Sequence, residues 1–106
     1  GDFDANASFT TLTITASTSA AVASAVTAAG NLTGTTINLV DGTGNGTAVL
    51  TLDGSSTQTV TAEIKTATTT LGSVIVDNAA GVTFSADVGA DSSNELLALT
   101  VNTAKK

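Results

Sequence analysis

The amino-acid sequence predicts an all-β fold, a short parallel β-solenoid of coils about 24 residues long, on three observations. Apolar and hydroxyl residues alternate in short runs through the whole chain, most runs end at turn-forming residues, and the pattern returns at intervals of about 24 residues. The 106 residues are read as one β-rich module, a fragment or repeat unit of a longer surface protein.

Five runs define the first element: Leu12 to Ile14, Ile37 to Leu39, Leu50 to Leu52, Val74 to Val76 and Leu99 to Val101. Each places apolar side chains two residues apart, which an extended backbone turns toward one face. The residue between is often Thr, whose β-branch favours the extended backbone while its hydroxyl stays in water. Asp41-Gly42, Asp53-Gly54, Asp77-Asn78 and Asn102 close four of the five runs with residues that accept tight turns. The runs start at 12, 37, 50, 74 and 99, so their intervals are 25, 13, 24 and 25, a repeat with one half-step.

A second element shares the period. Val60, Ala62 and Ile64 are matched one period later by Phe84, Ala86 and Val88, with the acids Glu63 and Asp87 at equivalent places. Phe3 to Ala7 reads as a degenerate copy of this element, and Phe9 to Ile14 as a parallel of Leu96 to Val101. An antiparallel β-sandwich would show the same alternation in strands of similar length. It would not need position-by-position similarity from one period to the next, and that similarity favours the solenoid. The segment from Ser17 to Ala29 interrupts the pattern. Its Ala content, Ser19 as N-cap, Val22 and Val26 at i and i+4, and Gly30 past the end fit a short helix near residues 19–29. Val22, Ser24 and Val26 in alternation fit a strand equally well.

Composition narrows the function. The chain has no His, Cys, Trp, Tyr, Met, Arg or Pro, so the common nucleophile–base pairs, zinc sites and thiol chemistry lack their residues, and no enzyme is expected. A net charge of −6 opposes binding to a phosphate backbone, and the one basic cluster, Lys105-Lys106, reads as a solubilising tail. Charged residues make up 11% of the chain, whereas Ser and Thr together number 32 of 106, a bias typical of extracellular adhesins, surface layers and fibres. No run reaches the ~18 apolar residues of a membrane-spanning helix.

Three sets of residues are candidate sites. Asp41, Thr43 and Asn45 in a glycine-rich stretch resemble the start of a calcium loop. Thr43 replaces an acidic ligand there and Leu52 stands where a closing Glu is required, so a plain glycine-rich corner is the competing reading and no cofactor is the expectation. Asp2, Asp4 and Asn6 alternate similarly, as the outer face of a strand would. Asn6, Asn31 and Asn45 each open an Asn-X-Ser/Thr sequon, a number near that expected by chance from this composition. The pairs Glu63 with Asp87 and Asp91 with Glu95 are read as solvated surface carboxylates.

The stretch Leu50–Val101, with LTLDGSSTQTVTAEI, LGSVIVDNAAGVTFSADVGA and LLALTVN, resembles passenger-type repeats of bacterial autotransporter adhesins and surface-layer proteins. The resemblance implies extracellular display, a parallel β-helix and a role in adhesion, surface coating or fibre assembly. Few charges and no Pro guard the strand edges, so the chain is expected to associate with itself through Phe9–Ala16 or Leu96–Ala104. The alternatives are a carbohydrate- or ligand-binding β-sandwich, short of the aromatic residues that stack on sugars, and a phage or viral fibre domain. A surface glycan is a further candidate partner.

Overall fold

A computed structural model of the chain describes residues 2–16, 23–42, 46–66, 71–89, 95–102 and 104–105. Among the described residues ten strands are formed: β1 Asp2–Phe3, β2 Ala7–Thr15, β3 Ser24–Ala28, β4 Leu32–Val40, β5 Ala48–Leu52, β6 Gln58–Val60, β7 Glu63–Thr66, β8 Leu71–Val76, β9 Val82–Phe84 and β10 Leu96–Val101. They build two sheets, visited alternately. The first has the order β1-β3-β5-β8-β10, and the second the order β2-β4-β6-β9 with β7 also on β4. Every pairing is parallel. The fold is therefore a β-solenoid whose coils each give one strand, or a broken strand, to each sheet, and the sandwich alternative is excluded because it requires antiparallel neighbours.

Register shows how the sequence dictates this. Phe3 lies beside Ala28, Ala28 beside Leu52, Leu52 beside Val76 and Val76 beside Val101, so one column climbs the first sheet, gaining one side chain from each coil. Val26, Leu50, Val74 and Leu99 form a second column. Leu12, Ile37 and Ile64 form a third, in the other sheet, with Val88 added by an isolated bridge. These columns face inward. Leu32, Ile37, Leu39, Leu50, Leu52, Ile64 and Val74 are fully buried, and the space between the sheets is filled by small aliphatic side chains with Ala16, Ala28, Ala48 and Ala62. Burying each larger side chain contributes roughly 1.5–3 kcal/mol.

The half-step between the runs that start at Ile37 and Leu50 is a passage from one sheet to the other. Leu12 and Ile37 belong to the second sheet, whereas Leu50, Val74 and Leu99 belong to the first. Two expectations need correction, and one open choice is decided. Phe3 aligns with Ala28 in the first sheet, and it is Ala7 that stands in register with Leu32, the partner of Val60. Phe9 to Ile14 and Leu96 to Val101 lie in different sheets. Within 19–29 the described residues form strand β3 from Ser24 to Ala28, because its side chains complete columns already started by Leu50 and Leu52. Residues 19–22 lie outside the described residues.

Candidate functional site

The polar groups with the most elaborate geometry gather at the corner where the chain passes from the first sheet to the second. This corner is built the same way in each coil. Ala29 N donates to Phe3 O, Asp53 N to Ala28 O, Asp77 N to Leu52 O and Asn102 N to Val76 O, at 2.8–3.1 Å. One residue in each coil thus extends the ladder of the first sheet past its strand.

Inside the corner lies the chain's single Gln. Gln58 is 1% exposed; its Nε2 donates to the carbonyls of Ala28 at 2.8 Å and Gly30 at 2.9 Å, and its Oε1 accepts from Gly54 N at 2.9 Å and Asn78 Nδ2 at 2.7 Å. Asn78, fully buried, is equally well used. Its Nδ2 also donates to Ser56 O at 2.8 Å, and its Oδ1 accepts from Ala80 N at 2.8 Å and Gly81 N at 3.1 Å. Both amides therefore meet their four-bond capacity inside the protein. Among the described residues no buried side-chain nitrogen or oxygen lacks a partner.

A second ladder runs along the outside of the same corner. Asn31 N donates to Asn6 Oδ1, and Thr59 N donates to Asn31 Oδ1, both at 2.8 Å. Asn6 is exposed and Asn31 half-buried, so two of the three sequon asparagines stitch neighbouring coils through their side-chain oxygens. Farther along, Asn102 Nδ2 donates to Asp77 Oδ1 at 3.0 Å, and Lys105 Nζ lies 3.6 Å from the same oxygen.

The sequence-predicted sites are placed elsewhere. Asp41, half-buried, accepts the Ala48 amide on Oδ1 at 2.7 Å and so ties the end of β4 to the start of β5. Thr43 and Asn45 lie outside the described residues, as does Asp91. Among the described residues no group of three or more His, Cys, Asp or Glu side chains converges. Glu63 is half-buried and Asp87 exposed; the two stand on the outer face of the second sheet, in the equivalent places that the repeat assigns them. Lys65 Nζ lies 3.6 Å from Glu63 Oε2, a surface pair worth roughly 0–1 kcal/mol. Glu95 contributes its backbone carbonyl to the Thr66 hydroxyl at 3.1 Å.

The ends of the stack differ from its middle. Leu97, Leu99 and Val101 of β10 are 58%, 50% and 53% exposed, although Val74 and Val76, the register neighbours of Leu99 and Val101 one coil earlier, are 0% and 2% exposed. At the other end Phe3, Ala7, Phe9 and Leu12 are only partly buried. Among the described residues no cavity is found, and no helix is long and apolar enough to cross a membrane. Compared with family models, curated proteins and solved structures, the chain matches none.

Proposed function

We propose that this chain is a segment of an extracellular structural protein, a self-assembling surface layer, filament or adhesin, in which the solenoid itself is the working part. One observation carries the reading: the molecule's inward columns are in parallel register from coil to coil, so that each coil covers the apolar face of the one before. A stack of that kind grows by adding coils, because each added coil buries the face left open by the one before. The buried polar groups point the same way. The amides of Gln58 and Asn78 bond carbonyls and amides of neighbouring coils, which holds shape and, among the described residues, leaves no buried polar group aimed at a ligand.

Secretion is supported by composition, through the 32 Ser and Thr residues and the low charge. The parallel sheets remove the scaffold on which a carbohydrate-binding sandwich would rest, and a glycan-array screen without saturable binding is the expected result. Negative-stain microscopy of the purified chain tests the main reading. Ordered filaments or lattices are expected, and a uniformly dispersed monomer at high concentration would reject it.

A further inference from the structure

Along its sides the solenoid has two outer faces, and their chemistry differs. The outer face of the second sheet carries Glu63, Lys65 and Asp87. The outer face of the first sheet carries no charged residue from β3 to β10, and the first charge met on it is Asp2, beside Thr27 in β1. Thr27, Thr51, Ile75 and Thr100 form one column there. Val49, Ser73 and Ala98 form the column beside it, and Val49, Thr51, Ser73 and Ile75 are half-buried although they point outward between fully buried neighbours. They cover one another, which makes the face flat.

We propose that this uncharged outer face of the first sheet is where a second copy of the chain packs, sheet against sheet, about a two-fold axis. The proposal rests on the self-assembly reading above and names the surface that performs it.

Charge selects both the face and the partner. A two-fold contact sets the same patch of both copies together, so a residue near the axis meets its own kind. Each copy carries a net charge of −6, and the outer face of the second sheet would bring Glu63 and Asp87 toward their own counterparts. The first sheet brings only hydroxyls, methyl groups and small aliphatic side chains. Two flat layers of that kind pack about 10 Å apart, as the sheets of a sandwich do. Asp53 and Asp77 lie off the face, at the corner, and Asp41 lies on the connection from β4 to β5.

Area sets the strength of the contact. Four strands about 4.8 Å apart, each five or six residues long at about 3.3 Å per residue, give a face of roughly 350 Å². That is under half of the ~800 Å² per partner of a standard interface, so two copies of this segment bind weakly. Coils added above or below lengthen the face without covering it. Each adds roughly 90 Å², and a first sheet of about nine strands reaches the standard size. Lateral pairing therefore strengthens with the length of the solenoid.

Sedimentation equilibrium of the 106-residue chain, followed by interference optics and taken to about 1 mM, tests this, with far-UV circular dichroism confirming that each variant is folded. The wild type is expected to dimerise, and raising the salt from about 0.02 M to about 0.5 M should strengthen the dimer severalfold by screening the repulsion between acidic copies. Thr51→Glu and, as a second variant, Ile75→Glu are expected to weaken it about tenfold or more, since each sets like charges against each other in a dry contact. Thr13→Glu gives the same net charge on the exposed side of β2, in the second sheet, and should stay within about twofold of the wild type. Association that survives both Thr51→Glu and Ile75→Glu, that Thr13→Glu weakens equally, or that salt weakens would overturn this face and leave self-assembly standing. A wild type that stays monomeric to about 1 mM would overturn both.

Discussion

Gln58 shows how much of this fold can depend on one side chain. Its amide bonds to Ala28, Gly30, Gly54 and Asn78, so it joins the turn of its own coil to the coils on either side. Replacing it with Leu removes all four bonds; Ala28 O keeps the Asp53 amide and Asn78 Nδ2 keeps Ser56 O, while the Gly54 amide and the Gly30 carbonyl lose this partner, at about 1–3 kcal/mol for each group left unsatisfied. Relaxation recovers part of that, and Gln58→Leu is expected to lower the unfolding free energy by about 3 kcal/mol in a urea titration. Asn78→Ala should cost a comparable amount, and the double variant less than the sum by about 1 kcal/mol or more, because the two amides share a 2.7 Å bond. Additive losses would show that they act separately. Gly72 carries a backbone constraint instead. Its φ is +71°, and a Cβ there would stand 2.6 Å from Leu39 Cβ in the opposite sheet. Gly72→Ala therefore combines left-handed strain with overpacking and is expected to cost about 1–3 kcal/mol by the same titration.

Among the elements, those with clean alternation are legible in the sequence. Leu50 to Leu52 and Val74 to Val76 sit in strands whose exposure alternates residue by residue, and a period of two finds both. In β2 and β4 it finds only the second halves. Thr10 and Thr11 of β2 are both exposed, which shifts the inward set from Ala7 and Phe9 to Leu12 and Ile14, and β4 shifts likewise between Gly34 and Ile37. A period-two reading loses phase at such a shift, so the sequence does not reveal Ala7 as the register partner of Leu32. The corner ladders are not legible at all. Gln58 bonds groups up to 30 residues away, and only the coil geometry brings them together; Asn78 with Gly81 shortly after it is the one local hint of a side-chain-closed turn. The connection from β4 to β5 is an element-scale case with a direct test. Asp41 closes it through Ala48 N, a role that needs no ion. Asp41→Ala is expected to cost about 1 kcal/mol, and a chelator is expected to leave the melting transition of the wild type unchanged. A transition lowered by chelation would instead assign Asp41 to a calcium site.

At the scale of the molecule, a solenoid's stability is a sum of coil and neighbour terms, so the same substitution should cost different amounts at different levels of the stack. Leu50 lies in β5, paired on both sides by β3 and β8, and is fully buried; Leu12 has a comparable inward position in β2, the first strand of its sheet, and is only partly buried. Leu50→Ala is expected to cost about 2–4 kcal/mol, while Leu12→Ala should cost about half as much, since less area is lost and the end coil can relax around the gap. Amide hydrogen exchange should rank the strands in the same order. β4 and β5 are expected to exchange only through global opening, and β1 and β10, at the ends of the first sheet, to exchange first. Uniform protection from end to end would mean that the coils open as one unit, contrary to the nearest-neighbour picture. Concentration adds the decisive dimension: if copies stack, protection of β10 should rise as the protein is concentrated while that of β5 stays fixed, because strands at the ends of the sheets gain a neighbour and β5 already has one on each side.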